Sequence, residues 1–381
     1  MIRQAIILAA GEGKRMKKTA TDQTMLNTPK PLLKLGDMTI IEYTIRKLYS
    51  YGIEIAIVVN KKDDQIFREK LKEYNIHYYY QQEPLGTANA LYSAQKFVKD
   101  PYFLVFMGDD LYGFNVEELV GFEAPAVFGY MVADLSRYGA VKIDADGFAY
   151  EIVEKKESGR GIANTGAYIM PASFFELYPS INSNKGSGEF YLTDIVKFLY
   201  FQNQGFKVKL MQYWRPINDA QELELAAKEL AKFDYLSLNL RMAKMRDLEA
   251  MLDILYQLSP LEPVDPHQIN DVKNSFEKML SNDDYYVLVA EKDGRVLATA
   301  TLLIQQNITH HGRSYGHIEN VVTDRTVRGL GIGKRMVEHL IGIAKLRNCY
   351  KVILVCSPKN VEFYQKCGFV KTGELEMRIN L

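Results

Sequence analysis

Two stretches of this chain place glycines and cations at nearly the same spacing: LAAGEGKRM at residues 8–16 and RGLGIGKRM at residues 328–336. Glycine lets the backbone approach a ligand closely. A helix N-terminus adds exposed amides and the positive end of a dipole, so such loops bring bare N–H groups to phosphate. Two of them predict two phosphate-bearing ligands. Neither is decisive alone. The first lacks the GxxxxGK[ST] spacing, and Met16 stands where a GxGxxG string would need its third glycine. A carboxylate pair, Asp109 and Asp110, follows another apolar run. The three cysteines, Cys349, Cys356 and Cys367, lack paired CxxC spacing, which fits reduced, packed thiols better than a zinc site.

The elements that must position these residues are legible in the apolar pattern. Gln4 to Ala9 is a continuous apolar strand ending in the first glycine loop. Ile40 to Tyr51 has helical spacing, Ile53 to Asn60 and Ile76 to Gln81 read as strands, Thr87 to Val98 as a helix and Tyr102 to Met107 as a strand. This βαβαβ order predicts a mostly parallel, doubly wound α/β sheet. Ligands of such sheets sit beyond the carboxyl ends of the strands, so Gly11 to Arg15, Gln81 to Gly86 and Asp109 are expected to converge on one crevice. AQELELAAKELAKF, after Asp219, predicts a helix that closes the first domain. The pattern restarts near Asp234. Met242 to Leu258 reads as a helix, Tyr285 to Glu291 and Val296 to Ile304 as antiparallel strands around the turn Asp293-Gly294, and His317 to Val322 as another strand before the second glycine loop.

A chain of 381 residues with 47% hydrophobic content has room for two or three domains with separate cores. Lys plus Arg and Asp plus Glu both number 47, and no basic stripe points to nucleic acid. No segment reaches the roughly 18 apolar residues of a membrane span, and the start reads as a strand rather than a signal peptide. The expectation is a cytoplasmic protein.

LAAGEGKRM, PKP at 29–31, PLGTANAL at 84–91 and GDD at 108–110 occur in that order. With them residues 3–230 resemble the nucleoside-triphosphate transferases that make nucleotide sugars, particularly hexosamine-1-phosphate uridylyltransferases. The resemblance implies a Rossmann-like, doubly wound mixed sheet in a domain of residues 1–233. It implies that a sugar phosphate oxygen attacks the α-phosphorus of a nucleoside triphosphate and expels pyrophosphate, a reaction governed by positioning and charge neutralisation. The backbone at Ala10, Gly11 and Gly13 would cradle the triphosphate, with Arg15 and Lys30 supplying charge. Asp109 would hold Mg2+, with Asn218 as second ligand and Asp219 as fallback. Gln81, spaced from Gly86 and Thr87 as in members that read uracil or thymine, would offer a donor and an acceptor to the base, favouring UTP with dTTP open. Gly139, Glu154, Asn164, Tyr191 and Thr193 match positions that contact the sugar, and EFYLTDI resembles the N-acetylglucosamine-1-phosphate branch. The segment Lys17 to Thr28 is longer than the usual loop of this family.

Further on, RGLGIGKRM, YGHIENVVTD, CYKVILVCSPKNVEFYQKCGF and ELEMRINL make residues 236–381 similar to the Gcn5-related N-acetyltransferases, in particular to the glucosamine-phosphate N-acetyltransferases. The resemblance implies an α+β domain over residues 234–381 that uses acetyl-CoA. Arg328, Gly329, Gly331, Gly333 and Lys334 would grip its pyrophosphate, the amide of Val322 would hold the acetyl carbonyl, and Asn360 would line the coenzyme channel. Glu319 would orient or deprotonate the amine and Tyr364 would protonate the leaving thiolate. Cys367 is set aside as a nucleophile because direct attack by an amine needs no covalent intermediate. The chain departs from the sugar-phosphate acetylases in three places: at Asn320, at Val355 and at the end Ile379, Asn380, Leu381.

Together these readings predict a bifunctional enzyme that acetylates a hexosamine phosphate and transfers UMP to an N-acetylhexosamine 1-phosphate. Its partners would be small-molecule substrates, without nucleic acid or membrane, and acetylases of this branch commonly pair through their C-terminal strands as homodimers. Glucosamine 1-phosphate is the expected acetyl acceptor, since no mutase need then intervene. The rival is the 6-phosphate, gripped by Arg378 or by Arg313 with His310 and His311. Two other readings stand beside this one: synthesis of a modified amino sugar for a surface polysaccharide, and a domain that only binds its ligand and regulates its neighbour.

Overall fold

The computed structural model describes residues 1–154, 157–180, 188–258 and 269–374, with Met377 and Ile379. The chain divides into two compact units, one of Met1–Tyr130, Leu135–Glu157 and Ile162–Leu236, the other of Met131–Asp134, Ser158–Gly161 and Ser237–Leu381.

In the first unit the apolar runs pair as a parallel set: Ile76–Tyr80, Glu54–Val59, Gln4–Leu8 and Tyr102–Met107, in that spatial order. Ile6, Ile7, Ile57, Val58, Leu104 and Val105 have no exposed surface, as strands covered on both faces require. Gln4–Leu8 lies between strands that leave it in opposite directions, so the crevice of this sheet opens at its carboxyl end. The sheet is more mixed than βαβαβ alone predicts. It continues through Gly161–Pro171, Ala126–Val132, Phe206–Leu210, Phe148–Glu154 and Gly139–Ile143 to nine strands. Gly161–Pro171 runs antiparallel to Tyr102–Met107.

Local chemistry sets the helix ends. Glu42 caps Ile40–Tyr49 by accepting from the Thr39 amide at 2.7 Å. The segment Lys17 to Thr28, expected as a long loop, folds largely into the helices Lys14–Thr19 and Gln23–Asn27, the second capped by Asp22, which accepts from the Met25 amide at 2.8 Å. The helix expected over Thr87 to Val98 stops at Tyr92, and a short 3-10 turn follows at Gln95–Phe97.

The second unit is a five-stranded sheet ordered Asn239–Met242, Tyr285–Lys292, Arg295–Gln305, Tyr315–Thr323 and Val352–Ile353. The helix expected to begin at Met242 begins instead at Leu248 and ends at Leu255. Asn239–Met242 is claimed by the sheet, antiparallel to Tyr285–Lys292. The cause is Arg241, a buried guanidinium that donates to Asp247 at 2.6 and 2.8 Å and to Glu291 at 2.8 Å. A buried charge needs such partners, and the extended backbone lets it reach both. Among the described residues no helix is long and apolar enough to cross a membrane.

Candidate functional site

A cavity of about 460 Å³ opens at the carboxyl ends of the parallel strands of the first unit. Ala10, Gly11, Gly13, Arg15, Lys30, Gln81, Gly86, Thr87, Asp109, Tyr191 and Asn218 all line it. Its glycine loop leads into Lys14–Thr19, with Gly13 in the left-handed region at φ 63°. Gly86 is demanded twice over: its φ is 93°, and a Cβ there would lie 2.4 Å from the carbonyl oxygen of Phe190. The amides of Ala88 and Phe190 tie the two segments together, donating to Phe190 and Leu85 carbonyls at 2.9 and 2.8 Å.

One end of the cavity is built around Asp109. Lys30, nearly buried, donates from Nζ to Asp109 Oδ2 at 2.5 Å, while the carboxylate itself is 40% exposed. Beneath it Asp110–Gly113 pairs antiparallel with Tyr213–Pro216, Pro216 opposite Asp110. This ribbon sets Asp109 and Asn218 at the same end. Trp214 Nε1 donates to Asp110 Oδ2 at 2.9 Å. Burial, and then the charge of Asp109, hold the Asp110 carboxyl well above the usual carboxylate range. Asn218 donates from its backbone and from Nδ2 to Glu222 Oε2, at 2.7 and 2.9 Å. Its amide is thereby oriented, leaving Oδ1 as the acceptor. Asp219, the fallback ligand, is absent from the cavity lining; it caps Ala220–Lys232 by accepting from the Glu222 amide at 2.9 Å. The carboxylate of Asp109 and the amide oxygen of Asn218 are hard donors. So sparse a set suits a cation such as Mg2+, which keeps water and substrate oxygens. Among the described residues no cluster of three or more His, Cys, Asp or Glu could hold a metal by itself.

Gln81 is buried and more constrained than its residue type suggests. Its Nε2 donates to the Gly86 carbonyl and to Asn89 Oδ1, both at 3.0 Å. Both amide hydrogens are used, so it offers a ligand only the acceptor Oε1 rather than a donor and an acceptor. Thr87 Oγ1 accepts from the Leu192 amide at 3.1 Å, and Tyr191 donates to Glu189 at 2.6 Å. Glu189 itself lines the cavity and was not singled out from sequence, although it opens the EFYLTDI string. Gly139, Glu154, Asn164 and Thr193 do not line it. Gly139 and Glu154 face each other across adjacent strands, Asn164 donates to the Tyr168 hydroxyl at 2.9 Å, and Thr193 lies on the helix Leu192–Phe201.

In the second unit Tyr315–Thr323 carries Glu319 and Val322. Its pairing with Val352–Ile353 covers only Gly316 and His317, so beyond that point the two strands part. On its other side the register shifts between Thr301–Glu319 and Thr299–Val322, with Asn320 at φ 54°, a bulge that re-aims the backbone. Gly329 and Gly331 sit at φ 81° and 85° where the chain turns into the helix Ile332–Leu346. A Cβ on Gly333 would lie 3.0 Å from Thr323 Oγ1 and 3.5 Å from the Phe363 ring, so strand end, helix start and the residue before Tyr364 meet.

Arg328 donates from Nε to the Thr323 carbonyl at 2.9 Å, and Lys334 lies 3.8 Å from Glu338. Asn360 begins the short helix Val361–Lys366 that carries Tyr364. Glu319 is exposed, 3.6 Å from His317 Nε2. Burial raises the Tyr364 phenol to about 12 and the Cys367 thiol to about 11, which keeps both protonated and makes Cys367 a poor nucleophile. Arg313 is a strut, donating to the Asn348 and Cys349 carbonyls at 3.2 Å each, and His310 stacks on Tyr350 at 3.9 Å. Arg378, Asn380 and Leu381 lie outside the described residues.

Comparison with known proteins follows the same division. Residues 4–232 match the nucleotidyl transferase family, and residues 250–369 the acetyltransferase (GNAT) family. A glucosamine 6-phosphate N-acetyltransferase of Trypanosoma brucei brucei is 36% identical over 39% of this chain and 99% of its own. The bifunctional protein GlmU of Methanococcus maripaludis strain C7 is 29% identical over 56% of this chain and 51% of its own, so the chain spans about half the length of that relative. The crystal structure of a candidate glucose-1-phosphate thymidylyltransferase from Bacillus anthracis is similar at a TM-score of 0.50 with 26% identity, over 59% of this chain and 94% of its own.

Proposed function

The chain belongs to the nucleotidyl transferase family and continues into a GNAT-family N-acetyltransferase, and from that premise we propose that this two-domain enzyme N-acetylates a glucosamine phosphate with acetyl-CoA and transfers UMP from UTP to the N-acetylated 1-phosphate. The observation that carries the nucleotidyl half is the single cavity holding the glycine loop, the Lys30–Asp109 pair and Asn218.

In that half the chain's own groups position and neutralise. The Gly11 to Gly13 backbone and Arg15 receive the triphosphate, and Lys30 is held beside the reacting phosphates by its carboxylate partner. Mg2+ held by Asp109 and Asn218 would supply charge neutralisation at phosphate oxygens. Gln81 Oε1 accepts the N3–H of uracil or thymine; cytosine presents a lone pair there instead. Gln81→Ala should therefore lower kcat/KM for UTP about tenfold, the scale of one buried hydrogen bond, and shrink the preference for UTP over CTP. Steady-state rates with UTP, dTTP and CTP check this, and unchanged selectivity removes Gln81 as base reader.

In the acetyl half the opening between the parted strands receives the thioester, and the Gly329 to Gly333 turn fits a pyrophosphate at a helix start. The Val322 amide expected to hold the thioester carbonyl faces the paired strand at Thr299 instead. Glu319 receives the amine and Tyr364 protonates the sulfur. The named activity of the Trypanosoma relative favours the 6-phosphate as acceptor. Against it, Arg313 already serves two carbonyls, and a uridylyltransferase in the same chain consumes a 1-phosphate. The expected result is a higher kcat/KM for glucosamine 1-phosphate than for the 6-phosphate in thiol-release assays. A clear preference for the 6-phosphate reverses the assignment and requires a phosphate-moving step between the two reactions.

A further inference from the structure

Behind Gln81 runs a chain of polar groups that the roles above do not use. The carbonyl of Gly86 can only accept, so the end of the Gln81 amide that meets it at 3.0 Å must be Nε2. The second hydrogen of Nε2 then needs an acceptor, and Asn89 Oδ1 supplies it, also at 3.0 Å. That demand orients Asn89 in turn. With Oδ1 toward Gln81, its Nδ2 points the other way and donates to the Tyr178 hydroxyl at 3.1 Å. Polarity therefore runs in one direction from a backbone carbonyl to a phenol, and neither amide can turn over without setting like groups against each other.

The far end of the chain is held by packing. The Tyr178 ring stacks on Tyr92 at 4.4 Å and lies against Phe190 and Phe174 at 5.4 and 5.9 Å. Phe190 is itself bonded through its backbone to Leu85 and Ala88, on either side of Gly86. Asn89 sits on the helix Thr87–Tyr92 that starts from the same turn. Neither Asn89 nor Tyr178 lines the cavity, whereas Gln81 does. We propose that Asn89 is a positioning residue for base selection: its amide oxygen holds Gln81 with Oε1 toward the ligand, and Tyr178 holds Asn89. The inference rests on the reading of Gln81 as the base reader. Uracil offers N3–H to Oε1, but cytosine has a lone pair at N3 and would need Nε2 there. To present Nε2, Gln81 must break two hydrogen bonds and bring Oε1 against two acceptors. Asn89 supplies one bond and one acceptor of that resistance, about fivefold in selectivity on the scale of one hydrogen bond.

The test measures kcat/KM for UTP and for CTP with the full chain and an N-acetylhexosamine 1-phosphate. Asn89→Leu keeps the branched shape and removes the acceptor. The preference for UTP over CTP should fall about fivefold, through a higher KM for UTP and a lower one for CTP, with kcat little moved. Asn89→Asp keeps an acceptor toward Gln81, and the Tyr178 hydroxyl can turn to donate to it, so the wild-type preference should return. In a Gln81→Ala background Asn89→Leu should change the preference by less than about 1.5-fold, because the group through which it acts is gone. Asn89→Ala, with the same expected shift, is the second variant should Asn89→Leu not fold. An unchanged preference in a folded Asn89→Leu or Asn89→Ala, an equal fall in Asn89→Asp, or the full fall in the Gln81→Ala background overturns the inference and leaves Gln81 in its role. A Gln81→Ala variant that keeps the wild-type preference removes the base reader, and this inference with it.

Discussion

Asp109→Ala is expected to raise the barrier to nucleotidyl transfer by about 3 kcal/mol or more, roughly a hundredfold in rate, the scale of removing one group that stabilises developing charge. Acetyl transfer by the same chain should be unchanged. Two effects add in the first domain. The cation loses its carboxylate, and Lys30, only 9% exposed, is left as a nearly buried ammonium without the partner that offsets its desolvation. Asp109→Asn separates them, since the shape and one acceptor oxygen remain while the charge is lost. It should move the Mg2+ concentration for half-maximal pyrophosphate release upward, a readout that a folding defect does not produce. Equal loss of both activities in Asp109→Ala would mean unfolding and would remove the metal assignment. An unchanged Mg2+ dependence in Asp109→Asn would remove it as well.

The parallel half of the first sheet was legible because its strands are short continuous apolar runs, and the crevice followed from where those runs end. Its antiparallel half was not: Gly161–Pro171 pairs with Tyr102–Met107 across a sequence distance that no local pattern encodes. The same holds within the site. That Asp109 and Asn218 meet depends on a ribbon between Asp110–Gly113 and Tyr213–Pro216, and on Glu222 gripping the asparagine. The Asp219–Glu222 spacing is a readable capping signature that assigns Asp219 to the helix rather than to the metal. Gln81 shows the opposite limit. Its type gives the inventory of donors and acceptors, but only the folded turn at Gly86 shows that the donors are already used. The strand Asn239–Met242 was hidden because apolar spacing there also suits a helix. A buried arginine with two carboxylate partners, one local and one on the next strand, decided between them.

Tyr364→Phe should lower kcat for acetyl transfer about a hundredfold, the lower end of what a positioned general acid contributes, with little change in KM and none in nucleotidyl transfer. The substitution deletes one oxygen and keeps the ring, which packs edge-on against Phe363 and Phe369 at 4.9 and 6.0 Å, so a packing defect is not the expected cause of loss. The pH dependence follows from burial. Because the phenol is raised from 10.0 to about 12, it stays protonated as pH rises through the neutral and mildly alkaline range, and its proton is lost only near the upper value. The proton donor therefore puts no descending limb on the wild-type kcat profile below about pH 11. The ascending limb belongs to the groups that must be deprotonated, the acceptor amine and its base. Tyr364→Phe should then scale the whole profile down without moving its ascending limb. Wild-type kcat in the phenylalanine variant would remove Tyr364 from proton transfer. A descending limb near neutral pH that disappears in the variant would show instead that the phenol ionises during turnover, and the acid role would pass to another group.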